Sequence, residues 1–137
     1  MKTSIYFLLI IVPFFVQCKT PQKNSNKMNS YEYIDGSGNL FAINSTTIIY
    51  DPITPEESST GTYSGGEPYK INVESKQFED LEKVFKKVIA NTNGQTTERN
   101  KGTGTLVVLP ERITYIFEMN SDSKKEIEEA IKMVTKR

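Results

Sequence analysis

The side chains that most often perform catalysis or bind metals are scarce in this chain. Its 137 residues include no histidine and one cysteine, Cys18. A Ser-His-Asp triad, a Cys-His nucleophile pair and an imidazole metal ligand are therefore excluded, as are an intrachain disulfide and a Cys-x-x-Cys site. Catalysis would have to depend on Asp, Glu, Tyr, Ser and Lys alone, so we predict no catalytic residue, no metal ligand and no cofactor.

Two short segments resemble ion-binding loops without meeting their requirements. Asp35, Ser37 and Asn39 place oxygen-bearing side chains at alternate positions, but a helix-loop-helix calcium site also needs an acid at position twelve, which is Thr46 here. The glycine-rich stretch 61–66 lacks the Gly-Lys-Ser/Thr that a phosphate loop needs. We interpret the first segment as a turn and the second as part of a surface loop.

The acidic residues of the two predicted helices lie mostly on polar faces beside lysines. A glycan hydrolase would need two carboxyl groups in one cleft, one of them with a raised pKa. We keep a small carboxylate-dependent hydrolase acting on envelope glycan as an alternative, and we interpret these acids as solvated faces. They are Glu79, Glu82, Glu126, Glu128 and Glu129.

The connection 52–68 is the sharpest candidate for a contact surface. Structureless loops of more than about 12–15 residues are uncommon in compact domains and tend to be functional or disordered. This one contains a single aromatic residue, Tyr63, flanked by small and polar residues, which is typical of adaptable binding loops. We name Tyr63, Ser64, Gly65 and Gly66 as candidate partner-binding residues. The alternative is a surface loop in which Tyr63 folds back onto the sheet.

The amino terminus has the pattern of an export signal. Lys2 precedes an apolar run from Ile5 to Val16, which is shorter than the roughly 20 residues that span a bilayer. The chain becomes polar immediately after the run, at Cys18. This arrangement resembles the signal peptide of bacterial lipoproteins, although Phe15 and Gln17 stand where that class usually has leucine and a small residue.

The resemblance implies that residues 1–17 are removed and that an acylated Cys18 anchors the protein in a lipid bilayer. The bias toward lysine, isoleucine and asparagine is similar to that of AT-rich Bacteroidota genomes, and the combination of Tyr50-Asp51-Pro52 with Tyr63-Ser64-Gly65-Gly66 resembles small, uncharacterised Bacteroidota lipoproteins. We therefore expect a cell-envelope location, at the outer membrane of a Gram-negative bacterium. Residues 18–30 have the polar composition of a flexible tether.

The remaining domain, 31–137, contains 13 basic and 17 acidic residues, so its net charge is −4 although the whole chain is neutral. Nucleic acid is therefore not expected as a partner, because phosphate contacts need clustered Lys and Arg. The single domain is predicted to bury its core between a sheet and amphipathic helices.

Hydrophobic periodicity predicts the elements of this domain. Short alternating or apolar runs predict strands at 31–34, 40–43, 47–50 and 69–73, and a hairpin from 105 to 119. Apolar residues at helical spacing predict a helix that begins at Ser75 as N-cap, and a second one with a capping box from Ser123 to Glu126. We leave residues 95–101 unassigned and expect the strand 105–109 to be buried on both faces.

Together these features predict an α+β fold with the order β-β-β-loop-β-α-β-β-α. We expect one mostly antiparallel sheet with both helices packed on one face. The most favoured function is a non-enzymatic binding module of the cell envelope, with an envelope protein as its partner. An inhibitor or immunity-type protein is one concrete form. A structural subunit of an envelope complex is a further alternative, and its sign would be an exposed apolar sheet face.

Overall fold

A seven-stranded antiparallel sheet organises the chain from residue 29 to residue 136, the part that this computed structural model describes. The predicted signal, Cys18 and most of the tether lie outside these residues. The strands are β1 (Ser30–Ile34), β2 (Leu40–Ile43), β3 (Thr47–Asp51), β4 (Tyr69–Asn72), β5 (Gln95–Thr96), β6 (Gly104–Leu109) and β7 (Ile113–Phe117). The helices are α1 (Ser75–Ala90) and α2 (Asp122–Thr135).

The spatial order of the strands is β4-β3-β2-β1-β6-β7-β5, so the first strand lies at the centre. Tyr33 of β1 is paired with Phe41 of β2 on one side and with Leu106 of β6 on the other. This pairing joins the two halves of the chain into one sheet. The predicted α+β class, the antiparallel sheet and the hairpin of β6 and β7 are confirmed.

Both helices cover the same face of the sheet. Phe78, Leu81 and Phe85 of α1 are buried there, as are Ile127 and Ile131 of α2. Because alternate strand residues point to this face, the core is continuous across β1, β2, β3, β6 and β7. The helix-covered face is therefore the one the sequence pattern predicts, with one apolar stripe per helix.

The opposite face of the sheet is not covered by either helix and carries aliphatic residues among polar ones such as Glu32, Lys70 and Thr114. Ile49 on this face is 41% exposed. The strand 105–109 was expected to be buried on both faces, and this was wrong for its second half: Val107 and Leu109 are only partly buried. The residues of this apolar run therefore alternate between the helix-covered face and the uncovered aliphatic face of the sheet. The residues of the uncovered aliphatic face are Ile34, Leu40, Ala42, Ile49, Val107, Leu109 and Ile116.

Several boundaries differ from the sequence prediction. The N-cap of α1 is Glu74 rather than Ser75, because the side chain of Gln77 accepts a hydrogen bond from the Glu74 backbone N–H at 2.9 Å. The N-cap of α2 is Ser121 rather than Ser123; the Ser121 hydroxyl accepts from the backbone N–H of Lys124 at 3.3 Å.

Two further segments differ from the sequence prediction: the start of the unassigned residues 95–101 and the end of the predicted tether. Gln95 and Thr96 form the short edge strand β5 beside β7, so the element order contains one more strand than predicted. Ser30 already belongs to β1, and the Asn29 side chain donates a hydrogen bond to Glu82 at 3.1 Å. The last two residues of the predicted tether are thus part of the fold. Neither α1 nor α2 has the length and apolar character that crossing a bilayer requires.

Candidate functional site

The segment from Asp35 to Asn39 is a tight turn between β1 and β2. One Asp35 carboxylate oxygen accepts from the backbone N–H groups of Ser37 at 2.8 Å and Asn39 at 3.0 Å, and the other accepts from the Asn39 side chain at 2.8 Å. Both oxygens are thus occupied by local donors, as in an Asx turn. The turn interpretation is confirmed. Within residues 29–136, no three His, Cys, Asp or Glu side chains converge as metal ligands would.

The long loop 52–68 packs against this turn. The buried Asn39 side chain donates to the Tyr63 hydroxyl at 3.2 Å and accepts from the Ile53 N–H at 3.1 Å. The Tyr50 hydroxyl donates to the Gly65 carbonyl at 2.7 Å. Gly65 lies so close to Asn39 that a Cβ at this position would collide with it. The loop is therefore fastened to the sheet at both its start and its end.

The four predicted partner-binding residues have different roles in this loop. Tyr63 folds back onto the turn, as the alternative interpretation had it, yet it remains 39% exposed. Ser64 and Gly66 are exposed and joined by a hydrogen bond from the Gly66 N–H to the Ser64 hydroxyl at 3.2 Å. Gly65 is a support of the loop. Contact of these residues with a partner remains a prediction.

A row of aromatic side chains runs across four neighbouring strands on the helix-covered face. The ring centroids of Phe41 and Tyr50 are 4.7 Å apart, and those of Tyr50 and Tyr69 are 4.8 Å apart in a stacked arrangement. Tyr33 continues the row at 6.4 Å from Phe41. The helices cover Tyr33 completely but leave Tyr50 and Tyr69 half-buried. The open part of this row therefore forms an aromatic floor.

A cleft of about 680 Å³ lies between this aromatic floor and one stripe of α2, and we call it the aromatic cleft. The stripe recurs every three or four residues, so its members share one side of the helix. It presents charged, hydroxyl and apolar groups opposite the rings. Its members are Lys124, Glu128, Ile131, Lys132 and Thr135.

The wall of the aromatic cleft contains a hydrogen-bonded group of three residues. Glu128 accepts a hydrogen bond from the Tyr33 hydroxyl at 3.1 Å and forms an ion pair with Lys124 at 2.8 Å. The side chain of Lys124 is only 12% exposed. Burial, and then the neighbouring Glu128 charge, raises the pKa of Tyr33 well above its usual range. Tyr33 therefore stays neutral and serves as a fixed donor to Glu128.

Two carboxylates, Asp35 and Glu128, line the aromatic cleft, so the hydrolase alternative can be compared with this geometry. Both are held by donors from the protein itself, as described above. Hydrogen bonds lower the pKa of the carboxyl groups of Glu57, Asp80 and Glu82. A general acid at neutral pH needs the opposite shift, so nothing here favours that alternative.

A second cavity of about 550 Å³ adjoins the first and is called the loop cleft. Its walls come from the loop 52–68, including Tyr63, and from the segment 97–103, including Arg99 and Lys101. The Gly102 N–H donates to the Gly36 carbonyl at 3.2 Å, so the segment 97–103 lies directly against the turn. Asp35, Gly36 and Ser37 line both clefts, so the two clefts adjoin at one end of the sheet.

Sequence reasoning missed most of this site. The aromatic row had a readable signal, because Tyr33, Phe41, Tyr50 and Tyr69 each occupy the same phase of an alternating strand as the buried residues. Arg99 and Lys101 had none, since the polar segment 95–101 gave no periodicity. Glu128 of the α2 stripe was interpreted only as part of a solvated face.

No protein-family model, no curated protein and no solved structure matches this chain. The function must therefore be inferred from the chemistry of the two clefts.

Proposed function

We propose that this protein is a non-enzymatic binding module of the cell envelope, tethered through an acylated Cys18, and that its ligand occupies the aromatic cleft. The observation that supports this is the half-buried aromatic floor facing a polar helix stripe across about 680 Å³. Concave sites of this size, with apolar walls and a few polar groups, are the usual form of small-ligand sites.

The chemistry of the cleft fits a saccharide. The apolar ring atoms of the floor, which line the cleft, can pack against the C–H groups of a sugar ring. Lys132 and Thr135 provide donors and an acceptor for sugar hydroxyls on the opposite wall. The charges that line the cleft have both signs, so a ligand body with strong net charge is not favoured. A sugar ring, which has polar hydroxyls and an apolar face, can contact both the aromatic floor and the polar stripe of α2.

Titration of the full chain with neutral saccharides, followed by amide chemical shifts, tests the proposal. We expect the largest shifts at the cleft residues Ser37, Lys132 and Thr135. Tyr69→Ala should weaken binding by about tenfold, equivalent to about 1.4 kcal/mol, because it removes one ring of the floor. The matched control is Ile49→Ala, on the opposite face of the sheet, which should leave the affinity unchanged.

The proposal fails if no saccharide shifts the cleft amides, or if Tyr69→Ala and Ile49→Ala change affinity equally. Folding of both variants is checked by their thermal unfolding midpoints, since each truncates a partly buried side chain. An equal loss of affinity without a difference in stability would assign binding to another surface.

The uncovered aliphatic face favours a second candidate, a structural subunit of an envelope complex. Aliphatic sheet residues that no helix covers, with Ile49 exposed among them, are a feature of contact surfaces between proteins. Ile49→Lys would then abolish co-purification of an envelope partner while leaving saccharide binding intact. If Ile49→Lys co-purifies the same proteins as the unmodified chain, this second candidate is excluded.

A further inference from the structure

The loop cleft differs from the aromatic cleft in its charge and in its hydroxyl content. Arg99 and Lys101 both line it, and within residues 29–136 neither forms an ion pair with a carboxylate. Unpaired cations that line one concave surface attract and concentrate anions. The charged residues that line the loop cleft therefore have a positive balance, whereas those that line the aromatic cleft do not.

The hydroxyl groups of the opposite wall complement these cations. Ser58, Ser59 and Thr60 lie on the loop 52–68, together with Tyr63. The Tyr63 hydroxyl accepts from Asn39, so its own hydrogen can be donated to a ligand. Arginine, lysine and hydroxyl donors around a cavity are the groups that bind phosphate and carboxylate oxygens.

One acidic residue, Asp35, also lines the loop cleft, and both of its carboxylate oxygens are hydrogen-bonded within the turn. They accept three hydrogen bonds from Ser37 and Asn39. Two cations and one such locally bonded carboxylate leave a positive balance on the lining of the cleft. Elsewhere in the domain the acidic residues outnumber the basic ones, so this concentration of positive charge is local.

From this placement we propose that the loop cleft is an anion subsite, and that the ligand is an acidic saccharide. Its ring lies in the aromatic cleft, and its phosphate or carboxylate group lies between Arg99, Lys101 and the hydroxyls of the loop. The two clefts adjoin at the turn of Asp35, Gly36 and Ser37, which line both, and one ligand spans them. This inference rests on the proposed saccharide site, and it adds the charge of the ligand.

The test compares four probes with the full chain by calorimetry: glucose, glucose 6-phosphate, glucuronic acid and inorganic phosphate. We expect one of the two acidic sugars to bind about tenfold more tightly than glucose, a preference that falls as salt is added. Which of the two is preferred identifies phosphate or carboxylate as the anion. Inorganic phosphate should compete with the preferred acidic sugar.

The variant pair Arg99→Gln with Lys101→Gln should remove the preference while leaving glucose binding unchanged. The charge-conserving pair Arg99→Lys with Lys101→Arg should retain it. Lys70→Gln is the matched control, because Lys70 is an exposed lysine on β4 that lines neither cleft. All these positions are exposed, so the variants should unfold at the same temperature as the unmodified chain.

The outcomes separate the two proposals. If glucose and the acidic sugars bind equally, or if the neutralised pair keeps its preference, the anion subsite is wrong and the saccharide site stands. If Lys70→Gln removes the preference as fully as the neutralised pair does, the effect is one of general charge and the subsite is again wrong. If none of the sugars binds, both proposals fall.

Discussion

At the scale of single residues, β1 connects the sheet to both helices through two tyrosines. The Tyr31 hydroxyl donates to Glu82 of α1 at 3.0 Å, and the Tyr33 hydroxyl donates to Glu128 of α2 at 3.1 Å. Tyr31 also packs on the ring of Phe85 at 4.8 Å. Because the two tyrosines are two residues apart on one strand, they point to the same face, and each fixes a different helix.

Tyr33→Phe should lower the free energy of unfolding at pH 7 by about 1 kcal/mol, the typical net value of one hydrogen bond. The raised pKa of Tyr33 also implies a pH dependence. The unfolded chain ionises this phenol near pH 10 while the folded chain does not, so its contribution is complete below about pH 10 and is lost as the pH rises further. The variant should therefore lose less stability than the unmodified chain in alkali.

Urea unfolding at pH 7 and at pH 10.5, about half a unit above the ordinary tyrosine pKa, measures both effects. Tyr63→Phe is the control, because this exposed tyrosine lies in the loop 52–68 and contacts neither helix carboxylate. An alkaline loss of stability in Tyr33→Phe as large as in the unmodified chain would contradict the role assigned to this phenol.

At the scale of elements, the sequence located both helices correctly and misplaced their first residues. A serine favours a helix start wherever its hydroxyl can accept an N–H two or three residues on. Ser75, Ser121 and Ser123 lie near the two helix starts, and the local sequence pattern does not show which of them is an N-cap. The hydrogen bond from Lys124 N–H to Ser121 assigns the cap of α2, while Gln77 supports the start of α1.

Ser121→Ala should destabilise the protein by about 1 kcal/mol, the usual cost of losing an N-cap hydroxyl. Ser75→Ala changes an exposed residue at the start of α1 and should stay within about 0.5 kcal/mol. Thermal or urea unfolding of the two variants gives the comparison. The cap assignment is refuted if Ser75→Ala costs as much as Ser121→Ala.

At the scale of the whole molecule, neutrality conceals an uneven distribution of charge. The segment before residue 31 contains four lysines and no acid, whereas residues 31–137 have a net charge of −4. Within that acidic domain, Arg99 and Lys101 line one cleft. A basic, lipid-anchored tether would favour an anionic membrane surface, whereas the acidic domain would be repelled by it.

Cys18→Ala should move the full-length protein from the membrane fraction to the soluble fraction. A single acyl chain binds weakly and several bind firmly, at roughly 0.8 kcal/mol per buried methylene, so loss of the acylated residue removes the anchor. Fractionation followed by intact-mass analysis measures both location and acylation. Ser25→Ala is the tether control, and a Cys18→Ala protein that stays with the membrane would refute the lipid anchor.

The sequence by itself determined both helices and every strand except β5, the single helix-covered face and the α+β class. Periods of two and of about 3.6 residues are local properties, and they require an apolar face to be covered. Only the tertiary structure decided the site. The pairing of β1 with β6 joins residues such as Tyr33 and Leu106 that are distant in the chain, and this long-range pairing places the turn 35–39, the loop 52–68, the segment 97–103 and α2 around two clefts. No local pattern contains that information, because strand order depends on contacts between segments rather than on the segments themselves.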